Sequence, residues 1–181
     1  MAGFFGKLPA RGDFVRAGLP KDFVDPWDAW WQRMLSGSRD RRGEAWTEVW
    51  LQAPIWRFAL PPGLCGARAV LGLWMPSVDQ AGRFFPLTIA IVANQPVTTL
   101  LRAGGGFLDA AEAAGLAAVQ EDLSPDNLAT RIAAAAQAPG TPTQVPDEAA
   151  WWTDGSPMVA ARTVVVRTLP DVDAFTAMIA G

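Results

Sequence analysis

Residues 54–93 read PIWRFALPPGLCGARAVLGLWMPSVDQAGRFFPLTIAIVA. Three runs rich in β-branched and aromatic residues lie in this stretch, at residues 54–60, 67–75 and 84–93. The intervals between the runs carry PPG and PSVD, strings that are typical of turns. The pattern predicts three consecutive strands that pair as an antiparallel meander.

Upstream of the meander, residues 3–8 and 13–17 are short apolar-containing runs with PARG between them, which predicts a hairpin. The segment LPKDFVDPWDAWWQRML follows, and its large apolar residues recur at helical spacing. Asp25 and Pro26 resemble an N-cap and a first helical position. The polar run SGSRDRRGE predicts a loop with its arginines in solvent. Residues 44–52, which follow, predict a second short helix.

Downstream of the meander, the composition changes to alanine-rich helical patterns and then returns to short strands. The predicted segments are a helix at 98–119 broken by the glycines 104–106, a helix at 124–137, a linker-like loop at 139–146, strands at 149–152 and 162–168, and a last helix from Asp171. The order β-β-α-β-β-β-α-α resembles that of longin and profilin-like proteins, and a short β-β-α extension follows it. We expect one α/β domain over residues 1–181, a three-layer α/β/α sandwich around a largely antiparallel sheet.

The composition excludes several classes of function. A net charge of −3 gives no basic excess with which to bind nucleic acid. The chain has no histidine, which removes the Ser-His-Asp and Cys-His nucleophile pairs and most zinc sites, and Cys65 is predicted to be a buried small residue. No apolar run is long enough to span a membrane, so we expect a cytoplasmic protein. We also expect no cofactor.

Two charged segments next to predicted strands are the best candidates for a functional site. Residues 6–15 and 75–87 combine turn formers with charged or polar side chains, which are Lys7, Arg11, Asp13, Ser77, Asp79 and Arg83. Asp79 and Arg83 flank a hairpin loop, where a carboxylate and a guanidinium can pair. The pair either fixes the loop or contacts a partner. Other acidic pairs, Asp109 with Glu112 and Glu121 with Asp122, are predicted to be solvated.

The nine tryptophans pose a similar choice between a core and an interface. Helical and strand spacing favours the core for Trp27, Trp31, Trp46, Trp50, Trp56 and Trp74. Trp151 and Trp152 are adjacent on a predicted strand and must face opposite sides of the sheet. We therefore expect at least one of them to be exposed and available to a partner.

The sequence resembles the TagF family, also called ImpM, in two long ordered motifs. Residues 3–32, GFFGKLPARGDFVRAGLPKDFVDPWDAWWQ, are similar to its opening motif, and residues 55–90 are similar to its central motif, with PSVD, GR and FPL in order. The resemblance implies a non-catalytic regulator that holds a bacterial type VI secretion system inactive after its proteins are made. It also implies that the partner is the forkhead-associated scaffold protein of that system.

Two alternatives stay open at the level of sequence. The chain could be a structural accessory subunit of the secretion apparatus, which predicts a constant stoichiometry in the assembled complex. It could instead be an enzyme that uses Asp79 as its carboxylate and Arg83 as an electrostatic stabiliser. That enzyme would need a concave pocket and a second convergent acid, and neither is evident in the sequence.

Overall fold

The computed structural model describes residues 1–121, 123–140, 142–143 and 149–181. Seven antiparallel strands form one sheet in the order β2-β1-β5-β4-β3-β6-β7. The strands are β1 Ala2–Gly6, β2 Val15–Ala17, β3 Trp56–Leu60, β4 Ala69–Met75, β5 Leu87–Ala93, β6 Ala150–Thr153 and β7 Arg162–Val165. The predicted hairpin and meander are confirmed, and the C-terminal strands extend the same sheet.

Helices cover both faces of the sheet, which gives the predicted three layers. The α-helices of the described residues are α1 Lys21–Arg42, α2 Trp46–Leu51, α3 Val97–Ala103, α4 Gly105–Gln120, α5 Pro125–Ala135 and α6 Val172–Ala180. One apolar cluster joins the sheet to α1, α2 and α6, and a second joins it to α3, α4 and α5. The chain therefore buries apolar side chains on both sides of its sheet.

The strand sequences explain the two clusters, because alternate residues of a strand point to opposite faces. In β4, Val70 and Trp74 belong to the first cluster, whereas Leu71 and Leu73 belong to the second. All seven residues of β4 are buried, as expected for a central strand covered on both faces.

Helix α1 is longer at both ends than the sequence predicted. It begins at Lys21 rather than Pro26, so that Pro26 lies inside the helix. The proline ring removes one backbone hydrogen bond from the helix. Burial of the neighbouring Phe23, Val24 and Trp27 stabilises the helix in spite of this loss.

The predicted loop SGSRDRRGE is also wrong, because α1 continues to Arg42 and a 3₁₀ turn over residues 43–45 follows. The contacts of Ser38 explain why this segment is helical. Its buried hydroxyl donates to the carbonyl of Leu35 at 3.3 Å and accepts from Trp46 Nε1 at 2.8 Å. A polar residue that looked solvated in the sequence thus joins α1 to α2.

Both members of the C-terminal tryptophan pair are buried, which contradicts the expectation that one is exposed. Trp151 lies in the first cluster and Trp152 in the second. The helices on the two faces cover the sheet as far as β6, so opposite orientations place both indoles in apolar surroundings. The other six tryptophans for which a core position was favoured are buried as well.

The glycine run is a helix break, as predicted. Gly104 separates α3 from α4, and a Cβ there would lie only 2.0 Å from Leu71 Cδ2. Part of the predicted linker at 139–146 lies outside the described residues. Asp122 also lies outside them. Within the described part of the chain, no helix is long and apolar enough to cross a membrane.

Candidate functional site

The two charged segments meet at one end of the sheet. Strand β1 ends at Gly6, whose partner in β5 is Leu87, so the residues after β1 lie beside the hairpin before β5. That hairpin is closed by a bridge between Val78 and Phe84. Gly82 has a φ of 78° in its turn, a conformation that glycine adopts without strain.

Asp79 lies at the centre of this region and accepts four hydrogen bonds. Its Oδ2 accepts from Lys7 Nζ and from Arg83 Nε, both at 2.8 Å. Its Oδ1 accepts from the backbone N–H groups of Ala81 and Arg83, both at 2.9 Å. The ion pair predicted between Asp79 and Arg83 is therefore present, and Lys7 joins it from a position 72 residues away in the chain.

The three charged groups differ sharply in exposure. The Asp79 side chain is 0% exposed and that of Lys7 is 7% exposed, whereas that of Arg83 is 59% exposed. A buried ion pair of this kind has lost most of its hydration, so each member depends on its partner. Lys7 and Asp79 hold the two segments together, and Arg83 presents a guanidinium to solvent.

Ser77 joins this network to the rest of the fold. Its hydroxyl donates to the carbonyl oxygen of Lys7 at 2.8 Å. Its own carbonyl accepts from Trp50 Nε1 and from the backbone N–H of Phe85, both at 3.2 Å. Four of the six predicted site residues thus lie in one network, which is anchored to α2 through Trp50.

The electrostatics of Asp79 follow from these contacts. Burial alone would raise the pKa of its carboxyl, but the hydrogen bonds from Lys7 and Arg83 outweigh burial and hold the pKa well below the ordinary value of 3.8. The carboxylate is therefore ionised throughout the physiological range and is unsuited to donate or accept a catalytic proton.

This pKa leads to a prediction about acid stability. The ionised Asp79 stabilises the folded state above its ordinary pKa of 3.8, and this contribution is lost progressively as the pH falls below that value. We expect the carboxyl carbon resonance of Asp79 to keep its ionised position well below that pH in an NMR titration. A midpoint at or above 3.8 contradicts the prediction.

Arg11 and Asp13 lie on the outer side of the network, and both are exposed. The backbone carbonyl of Arg11 accepts from the N–H of Gln80 at 3.0 Å, and Arg83 Nη2 donates to the carbonyl of Gly12. Within the described part of the chain, the Asp13 side chain accepts one hydrogen bond, from the N–H of the next residue to Oδ1 at 2.7 Å. The structure thus brings all six residues to one end of the sheet, but the side chains of Arg11 and Asp13 are not part of the buried network.

Phe14 is a feature of the site that the sequence analysis missed. It is 45% exposed, stacks on Phe5 at a centroid distance of 5.5 Å and meets the edge of Phe85 at 4.7 Å. Lys7 Nζ lies 5.1 Å from the Phe14 ring centroid. An exposed ring supported from below is a common feature of binding surfaces. We call residues 11–14 together with Gln80 and Arg83 the loop surface.

The other candidate groups have structural explanations. Burial raises the pKa of the Cys65 thiol to about 12, which keeps it in the unreactive thiol form. Asp109 is exposed, as expected, and also pairs with Arg57 at 3.1 Å. Glu112 pairs with Arg57 at 3.0 Å and is only 27% exposed, so the expectation of a solvated side chain is wrong for Glu112. Among the described residues, no group of three or more His, Cys, Asp or Glu could hold a metal ion.

Comparisons with known proteins show which family and which solved structure this chain is similar to. The family described as TagF N-terminal domain, Type VI secretion system-associated, matches residues 3–135. The crystal structure of PA0076 from Pseudomonas aeruginosa PAO1, at 2.05 Å resolution, is similar with a TM-score of 0.85 and 33% sequence identity. The similarity covers 99% of this chain and 94% of that chain. A comparison with curated proteins gave no match.

Proposed function

This chain belongs to the TagF N-terminal domain family of type VI secretion-associated proteins, and from that premise we propose that it is a non-catalytic cytoplasmic regulator. The accessory role in type VI secretion comes with the family. We propose more specifically that the protein represses the secretion system after its components are made. It does so by binding the forkhead-associated scaffold protein through the loop surface.

The observation that carries this proposal is that buried residues fix the backbone around Asp79, while other side chains of the same loops are exposed. The buried Lys7–Asp79 pair fixes the two loops from below, whereas Arg11, Phe14 and Arg83 stand exposed above it. Exposed arginine and aromatic side chains on a fixed backbone are the groups that dominate protein interfaces. A rigid surface also loses little conformational entropy when it binds.

The same arrangement weighs against an enzyme. An enzyme based on Asp79 and Arg83 would need the carboxylate to face substrate, but all of the Asp79 side chain is shielded from solvent. Its two oxygens already accept hydrogen bonds from Lys7, Ala81 and Arg83. Asp79 acts as a structural anchor in this proposal, and Arg83 acts at the surface.

A pull-down with purified forkhead-associated scaffold tests the proposal. We expect the wild type to retain the scaffold and an Arg11→Ala, Phe14→Ala double variant to bind it at least about tenfold more weakly. Both residues are exposed, so the variant should keep its fold, which circular dichroism checks. Arg131→Ala is the matched control, because Arg131 is an exposed arginine of α5 on the other face of the sheet.

The outcomes separate the two parts of the proposal. If the wild type does not retain the scaffold, the regulatory mechanism is wrong. If the wild type and the double variant bind equally well, the mechanism stands and the loop surface is the wrong surface. A loss of binding in the Arg131 control as well would point to a nonspecific effect of charge.

A further inference from the structure

Arg39 lies next to the loop surface, in a feature that extends beyond the residues that the proposed function uses. Arg39 of α1 and Arg83 of the hairpin line the same open cavity of about 580 Å³, together with Trp46 and Phe84. We call these four residues the arginine notch. It combines two guanidinium groups with two aromatic walls at the edge of the surface proposed to bind the partner.

Arg39 is held in place by stacking rather than by an ion pair. Its guanidinium carbon lies 4.2 Å from the centroid of the Trp46 ring and 6.0 Å from that of Phe84. Trp46 is itself fixed, because its Nε1 donates to Ser38 and its ring stacks on Trp50 at 5.4 Å. A guanidinium that lies over an aromatic ring keeps its N–H donors free for a ligand.

The unused donors of Arg39 are the central observation. Among the contacts of the described residues, its side chain makes no salt bridge and no hydrogen bond. Lys7 and Arg83, by contrast, both pair with the Asp79 carboxylate. A fixed, unpaired guanidinium has already lost much of its side-chain freedom, which favours binding an anion.

Arg83 supplies the opposite wall of the notch in a fixed position. Its Nε donates to Asp79 at 2.8 Å and its Nη2 to the carbonyl of Gly12, yet its side chain is 59% exposed. The part of the guanidinium that makes neither contact is available to a ligand. The hairpin and α1 therefore each contribute one fixed guanidinium to the same cavity.

We propose that the arginine notch binds an aspartate or glutamate side chain from an acidic segment of the protein partner. This inference rests on the proposed function and names the chemistry that the partner presents. The planar fork of arginine matches a carboxylate in two parallel hydrogen bonds.

The first test uses a hexaglutamate peptide as the probe and does not depend on the scaffold. We expect the wild type to bind the peptide in isothermal titration calorimetry, with an affinity that falls as salt rises. Arg39→Gln should weaken binding at least about tenfold, since a hydrogen-bonded charge pair is lost. Arg131→Gln removes an exposed arginine from α5 and should bind as the wild type does.

The second test uses the scaffold itself and separates this inference from the proposed function. Arg39→Gln should also weaken scaffold binding, and hexaglutamate should compete with the scaffold. If the wild type and Arg39→Gln bind the peptide with equal affinity, the proposal that the arginine notch binds a carboxylate is wrong, whether or not the scaffold binds. Binding of a phosphothreonine peptide in place of hexaglutamate would overturn the choice of a carboxylate. If the peptide binds at the notch but the scaffold does not bind at all, the proposed function is wrong.

Discussion

Replacing Asp79 with alanine is expected to lower the free energy of unfolding by about 3–5 kcal/mol. The substitution leaves the ammonium of Lys7 buried without a counter-ion, because that side chain is only 7% exposed. It also removes the acceptor for the backbone N–H groups of Ala81 and Arg83. Urea denaturation of the two proteins at neutral pH measures the difference.

Two further variants make this prediction specific. Asp13→Ala changes an exposed aspartate in the neighbouring loop and should alter the free energy of unfolding by less than about 0.5–1 kcal/mol. A Lys7→Met, Asp79→Asn double variant removes both charges and keeps an oxygen for the two N–H groups. It should therefore be more stable than Asp79→Ala. A double variant that is equally unstable would show that the unpaired charge is not the main cost.

The strands could be predicted from the sequence because short runs of β-branched and aromatic residues between turn formers are visible locally. The runs at 54–60, 67–75 and 84–93 contain the three strands of the meander, with ends shifted by up to three residues. The turns between them carry proline and glycine, which act within a few residues. The fold class and the order of the elements follow from such local signals.

The ends of α1 could not be predicted, because the stabilising contacts are with distant elements. The sequence favoured a start at Pro26, which is a good first helical residue. In the fold, packing of Phe23 and Val24 against the sheet outweighs the lost hydrogen bond. The same holds at the other end, where Trp46 makes its contact with Ser38 only because the helix continues.

The site could be predicted only in part. Asp79 and Arg83 are four residues apart, so their pairing was visible as a hairpin contact. Lys7 reaches Asp79 only because β1 and β5 pair in a register that places Gly6 opposite Leu87. No feature of a single sequence specifies that register. Arg39 was also hidden, because its segment was interpreted as a loop, and its contact with Trp46 depends on the packing of α1 against α2.

The tryptophan cluster provides the second large expected effect. Trp31 is completely buried and meets the edges of Trp74 and Trp30 at centroid distances of 4.8 Å each, and Phe175 at 5.4 Å. Trp31→Ala removes an entire indole from between α1, the sheet and α6. We expect it to lower the free energy of unfolding by about 3–5 kcal/mol, measured by urea denaturation. Leu51→Ala, at a residue that is 60% exposed, should change it by less than about 0.5 kcal/mol.

A comparison of two phenylalanine variants distinguishes packing from hydrogen bonding in this cluster. Trp31 Nε1 is buried without a hydrogen-bond partner among the described residues, whereas Trp27 Nε1 donates to Thr88 Oγ1 at 2.9 Å. Both rings are 0% exposed, so Trp31→Phe and Trp27→Phe remove similar apolar surface. Trp27→Phe also leaves the buried hydroxyl of Thr88 without its donor, so we expect it to cost about 1–3 kcal/mol more. Equal losses would mean that packing alone sets the energy of the cluster, and that the Trp27 hydrogen bond contributes no net stability.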